Sequence, residues 1–190
     1  MTREQSRGRY HQALKGTLGT IVVVAALAVL VAALLLPVLR ITGTSMQPGF
    51  QPGDILVAYR TNTYERGDVV SFYYNNKLII KRVIALGGET VEIDEEGRVT
   101  VDGRALTESY VDEFALGLCD LEFPFTVPQD TLFVLGDNRP LSVDSRSTDY
   151  GCVNIEETVG KVFLRVWPLN QFTYYGALPA WLGGRTNVNP

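Results

Sequence analysis

Three short segments hold the residue types from which chemistry can be built. Gly43-Thr44-Ser45-Met46-Gln47-Pro48 sets a serine between a glycine turn and a proline turn. There a hydroxyl and nearby backbone N–H groups stand exposed, as a nucleophile and its oxyanion require. Leu78-Ile79-Ile80-Lys81-Arg82-Val83-Ile84 puts a lysine inside an apolar run. Burial disfavours the ammonium form, and a neutral amine can serve as a general base. Gly136-Asp137-Asn138-Arg139-Pro140-Leu141-Ser142-Val143-Asp144-Ser145-Arg146 gathers two aspartates, two arginines, an asparagine and two serines directly after a hydrophobic run. Loops that follow strands carry sites. Each segment also has a plainer reading: a turn serine, an edge-strand lysine whose amine snorkels to water, and a solvated loop in which Asp144 and Arg146 pair.

The remaining residue types narrow the chemistry. The 190-residue chain has one histidine, His11, and it precedes an apolar block, so no histidine-based triad or histidine-ligated metal site can form downstream. Two cysteines, Cys119 and Cys152, are too few for a thiolate zinc site and allow at most one disulfide. No Gly-x-x-x-x-Gly-Lys loop, Gly-x-Gly-x-x-Gly turn, His-Glu-x-x-His helix, Gly-x-Ser-x-Gly elbow or Ser-x-x-Lys pair occurs. No metal or cofactor is implied.

The elements that must position these segments are strands. Ile55–Tyr59, Val69–Tyr74, Lys77–Leu86, Val91–Ile93, Val99–Val101, Leu132–Leu135 and Val159–Trp167 have β-type composition, and Gly and Pro turns lie densely between them. Asn75-Asn76 suits a two-residue hairpin turn, because asparagine tolerates positive φ. That turn pairs Phe72 with Ile79 and Val70 with Lys81, so Lys81 shares a face with Val70, Phe72, Ile79 and Val83. Asp94–Arg98 closes a second hairpin. No helical period appears after residue 40, and the fold class is mainly β, a folded or partly closed sheet. The aromatic stretch at 172–184 reads as a strand or loop covering the sheet, with an interfacial patch as the alternative.

Residues 21–36 contain no polar side chain, and the run from Leu18 to Leu39 is long enough to cross a ~30 Å hydrocarbon core. Arg3, Arg7, Arg9 and Lys15 precede it, which places the N-terminus in the cytoplasm. The expected organisation is a cytoplasmic tail (1–16), a single transmembrane anchor helix (17–39) and an extracytoplasmic domain (40–190). Residues 1–40 carry a net +4 and the remainder −8. An acidic domain argues against a nucleic-acid partner. Outside the cytoplasm, Cys119 and Cys152 are expected to form a disulfide.

In this order, after one anchor, the segments resemble the boxes of bacterial type I signal peptidases. SMQP is similar to the nucleophile box, IIKRVIALGG to the general-base box, GDNRPLSVDSR to the downstream structural box and PGDILV to the box between the first two. The resemblance covers the anchor and residues 43–168. It implies Ser45 as nucleophile, Lys81 as general base, Ser142 as the hydroxyl that orients the lysine amine, and Asp144 with Arg146 as a supporting pair. It also implies two coiled antiparallel sheets, and as partners the signal peptides of exported preproteins, with small residues at positions −1 and −3, together with membrane lipids. Gly43 stands where some members have a serine that donates to the oxyanion, so a side-chain donor is missing.

On this reading the protein is a monomeric, membrane-anchored serine endopeptidase. Its substrate adds a strand between edges near Ile41–Gly43 and Leu78–Ile80. Ile41, Gly43 and Ile80 would line small apolar pockets. Two rivals remain: a LexA-like Ser/Lys self-cleaving domain, against which the anchor and the missing helix-turn-helix count, and a non-enzymatic anchored β-domain.

Overall fold

The computed structural model describes residues 15–30 and 36–175. It divides into two units, residues 1–36 and 37–190. In the first, residues 15–30 are helical. Among the described residues no helix is long and apolar enough to cross a membrane. The expected anchor runs on into residues 31–35, which lie outside them.

Among the described residues the second unit contains twelve strands. These are β1 (Val38–Arg40), β2 (Ile55–Tyr59), β3 (Val69–Tyr74), β4 (Lys77–Leu86), β5 (Thr90–Ile93), β6 (Val99–Val101), β7 (Arg104–Ala105), β8 (Phe125–Thr126), β9 (Thr131–Leu135), β10 (Val153–Asn154), β11 (Thr158–Trp167) and β12 (Thr173–Tyr174). One antiparallel sheet runs β1-β2-β11-β3-β4-β9-β10, with β12 also on β11; a smaller one runs β7-β6-β5-β8. The mainly β expectation holds.

One boundary is corrected. Val38 and Leu39, assigned from hydropathy to the anchor helix, belong to β1, where Val38 faces Val57 and Leu39 faces Leu56. Pro37 lacks an N–H and disfavours helix at the residue before it. Leu39 is buried in a cluster with Ile41, Met46, Phe50, Leu56 and Ile80. Its hydrophobicity serves the core of the β unit.

The β3–β4 hairpin has the expected register. Asn75 and Asn76 take φ of 50° and 60°, and Val70 pairs with Lys81 and Phe72 with Ile79. β-Branched and aromatic residues dominate β3, and aliphatic residues dominate β4, as suits a pleated, largely buried surface. β4 supplies every core cluster: Ile80 joins the first, Val83 packs with Val70 and Phe72, and Ile84 and Ala85 pack against the smaller sheet. A register shift between Val83 and Ala85 redirects the strand from one cluster to the next. β9 pairs only with the Arg82–Leu86 part of β4. Leu78–Lys81 therefore have no strand partner, among the described residues, on the side away from β3.

The expected disulfide is absent: Cys119 and Cys152 are free thiols. Cys119 Sγ donates to Leu121 O, and Cys152 packs against the cluster under the smaller sheet, where burial raises its pKa. Packing and a weak hydrogen bond account for both. At the C-terminal end, β12 lies on Leu164 and Arg165, so this part of the 172–184 stretch covers the sheet. From residue 176 it lies outside the described residues.

Candidate active site

Lys81 is 3% exposed, on the face of β4 it shares with fully buried Val70 and Val83. Its Nζ donates a 2.7 Å hydrogen bond to Ser142 Oγ. Burial lowers the lysine pKa to about 8; Asp144 opposes this, Arg146 adds to it and Asp137 opposes it. Roughly a tenth of such an amine is neutral at pH 7, against almost none at the ordinary lysine pKa.

Ser45 sits in a tight turn just beyond β1. Gln47 N–H donates to Thr44 O and Phe50 N–H to Met46 O. Met46 and Phe50 anchor the turn in the core at 2% and 0% exposure, which leaves Ser45 half-buried at the surface. Among the described residues Ser45 Oγ makes no hydrogen bond, and the Lys81 amine is engaged with Ser142 instead. Catalytic hydrogen bonds are often loose until substrate binds.

The loop after β9 brings the pieces together. Asn138 N–H donates to Ser45 O at 3.0 Å, and Asn138 Nδ2 donates to Thr44 O at 3.3 Å. Asn138 O in turn accepts the Ser142 N–H at 3.0 Å. One residue thus ties the serine turn to the hydroxyl that holds the lysine. Gly136 allows the close approach: a Cβ there would lie 2.5 Å from both Ser142 Cβ and Ser45 O. Asp144 and Arg146 pair at 2.8 Å, both fully buried. Asp144 also accepts from Gly136 N–H, and Arg146 donates to the carbonyls of Ala115, Leu116, Arg139 and Ser142. The pair braces the loop through backbone groups that would otherwise be buried without partners.

A groove of about 480 Å³ opens beside Ser45. It is lined by Arg40–Gly43 on one side and Lys77–Ile80, the unpaired edge of β4, on the other. Ile41, Gly43 and Ile80 all border it, as expected for a strand-binding cleft. Every site residue singled out from sequence therefore falls in one neighbourhood. Four contributors were not anticipated: Gly136, Asn138, the Arg82–Asp137 ion pair at 2.6 Å and the Arg139–Glu108 ion pair at 2.5 Å. Gly136, Asp137, Asn138 and Arg139 lie in the polar loop singled out from sequence, without a role assigned to them there; nothing in the sequence marked Glu108. Among the described residues no group of His, Cys, Asp or Glu could hold a metal ion.

A β-sheet domain with a buried lysine beside a turn serine and an open strand edge is the frame of a peptidase. The profile of the family described as "Signal peptidase, peptidase S26" matches residues 14–167, and the chain belongs to that family. A signal peptidase I of Leptolyngbya laminosa is 34% identical over 74% of this chain and 73% of its own length. That of Bacillus caldolyticus is 35% identical over 70% and 81%, and that of Bacillus licheniformis 30% identical over 90% and 97%. A crystal structure of a signal peptidase I from Enterococcus faecalis V583 aligns with 52% of this chain and 96% of its own, at 32% identity and a TM-score of 0.43. Membership of a peptidase family sets aside the non-enzymatic β-domain and the self-cleaving repressor.

Proposed function

We propose that the chain is a membrane-anchored signal peptidase in which Ser45 and Lys81 form the catalytic dyad. The observation that carries the dyad is the buried Lys81 amine, held on Ser142 Oγ with its pKa lowered to about 8, next to the Ser45 turn. The signal peptide lies extended in the groove between Arg40–Gly43 and Lys77–Ile80, against the edge of β4 that β9 does not cover. Ile41 and Ile80 face small side chains at positions −1 and −3.

Neutral Lys81 takes the proton of Ser45 Oγ as the oxygen attacks the scissile carbonyl. The oxyanion is met by backbone N–H groups of the turn, since Gly43 offers no side-chain donor. The Lys81 ammonium returns its proton to the leaving amine, which frees the mature N-terminus and leaves an acyl-enzyme on Ser45. Lys81, neutral again, then takes a proton from the attacking water and returns it to Ser45 Oγ as the acyl bond breaks, which releases the signal peptide and restores both groups. Ser142 orients the amine. Asp144 and Arg146 hold Ser142 and keep net charge near Lys81 balanced.

The run from Leu18 to Leu36 anchors the chain, with the basic N-terminus in the cytoplasm and the catalytic unit outside. Protease added to spheroplasts digests the β unit and spares the first residues; protection of the β unit would overturn this orientation. The dyad is tested by incubating the purified protein with a preprotein and sequencing the product N-terminus. Wild type releases the mature N-terminus and Ser45→Ala does not. Cleavage by Ser45→Ala would remove Ser45 as nucleophile.

A further inference from the structure

The loop that positions Ser45 and Ser142 is gripped by two arginines. Arg82 follows Lys81 on β4, and it clamps Asp137 with Nε at 2.8 Å and Nη2 at 2.6 Å. Arg139 is fully buried, and its Nε donates to Gly136 O at 3.1 Å. Both guanidiniums converge on one short segment, Glu108-Ser109-Tyr110, in the excursion between β7 and β8. Glu108 is 5% exposed, and its carboxylate accepts Arg139 Nη2 at 2.5 Å and Nη1 at 3.2 Å. Tyr110 Oη donates to the same carboxylate at 2.9 Å, and the Tyr110 ring lies 4.0 Å from Arg82 Cζ. This segment is outside all four boxes that carry the sequence resemblance.

We propose that Glu108 and Tyr110 are positioning residues for the peptidase reaction, bracing Arg139 and Arg82 so that residues 136–139 hold Ser45 and Ser142 in register. The proposal rests on the Ser45/Lys81 reading above. The geometry explains why one segment meets both arginines. Asp137 is held by Arg82, Gly136 O by Arg139, and Asn138 between them donates to Ser45 O and accepts from Ser142 N–H. Two clamps flanking Asn138 fix its backbone, and both rest on the same carboxylate–phenol unit. A phenol bridging a carboxylate and a guanidinium face adds orientation that a carboxylate alone would not supply.

The charged groups acting on Lys81 are Asp144, Arg146 and Asp137, and its amine is hydrogen-bonded to Ser142; Glu108 is not among them. Loss of the Glu108 charge by itself would lower the Lys81 pKa, so a shift in the opposite direction reports movement of the loop. Glu108→Gln keeps the shape and an acceptor for Arg139 and Tyr110 while removing the charge. It is expected to lower kcat about tenfold with KM within about twofold, and to move the acid limb of kcat/KM to higher pH as a looser loop admits water around Lys81. Tyr110→Phe keeps the ring beneath Arg82 and removes only the bond to Glu108; about a threefold loss of kcat is expected. Turnover is normalised to folded protein by near-ultraviolet circular dichroism. Wild-type kcat and acid limb per folded molecule in Glu108→Gln would overturn the proposal, even if its melting temperature fell. If Glu108→Gln does not fold, the same result in Tyr110→Phe overturns it. Lys81→Arg is run alongside: cleavage by that variant would sink the dyad and the brace together, whereas an inactive Lys81→Arg beside an unaltered Glu108→Gln sinks the brace alone.

Discussion

Lys81 Nζ and Ser142 Oγ are 2.7 Å apart and both residues are buried, although 61 positions separate them in the chain. An amine in that setting is poised to lose its proton, because water is excluded and the hydroxyl accepts only one of its three N–H bonds.

The acid limb of kcat/KM is expected near pH 8, the value to which burial lowers Lys81. The stability sign follows from the same displacement. Between about 8 and the ordinary lysine value of 10.5 the unfolded chain binds the proton that the folded chain releases. Burial of Lys81 thus costs on the order of 3 kcal/mol below pH 8, a cost that shrinks through that window and is gone above it. Lys81→Met should be more stable than wild type at pH 7 and inactive. A pH–rate profile flat from 6 to 10, or a destabilised Lys81→Met, would contradict the assignment.

Ser142→Ala leaves the buried Lys81 ammonium without its partner. Its stability is expected to fall by about 1–3 kcal/mol, and turnover by about 100-fold as the amine loses its orientation. Chemical denaturation and single-turnover cleavage measure the two effects separately; full activity would remove Ser142 from the site.

Opposite charges near Lys81 predict opposite shifts. Arg146→Met frees Asp144, so both changes raise the Lys81 pKa and move the acid limb to higher pH. Leaving the carboxylate buried without its guanidinium is also expected to cost about 3–5 kcal/mol. Asp144→Asn removes the largest raising influence, so the acid limb moves to lower pH. Shifts of the same sign in both variants would exclude the electrostatic account.

Gly136→Ala is expected to push Ser142 and the Ser45 carbonyl apart, since both meet the added Cβ at 2.5 Å. Overpacking of this kind costs about 1–3 kcal/mol. In a Ser142→Gly background the same change should cost less, and equal losses in both backgrounds would show that the clash does not act through Ser142.

Cys119 and Cys152 are free, so protein denatured without reductant should take up two maleimide labels. Uptake of none, restored by reductant, would establish the disulfide instead.

The proposed site residues Ser45, Lys81, Ser142, Asp144 and Arg146 stand out in the sequence because each sits in a short segment whose composition is anomalous for its surroundings: a serine between turn residues, a lysine among aliphatics, a crowded polar loop after a strand. The β3–β4 register was equally legible, since a two-residue asparagine turn leaves only one pairing and hence one face for Lys81. Both are local properties, decided by propensities and steric limits acting over a few residues. What only the tertiary structure decided was long-range. Hydropathy cannot tell a buried strand from the end of an apolar helix, so Val38 and Leu39 were misplaced until β1 found β2. Cys119 and Cys152 are free although the proposed compartment and their spacing would permit a bond, because a disulfide needs a specific approach of two backbones, which loop spacing does not supply. Glu108 and Arg139 are 31 positions apart and unremarkable in composition; their pairing exists because the β7–β8 excursion folds back onto the loop after β9 and water is excluded between them. The residues proposed to react are written in the sequence as local exceptions, and the frame that holds them appears only when distant segments share a core.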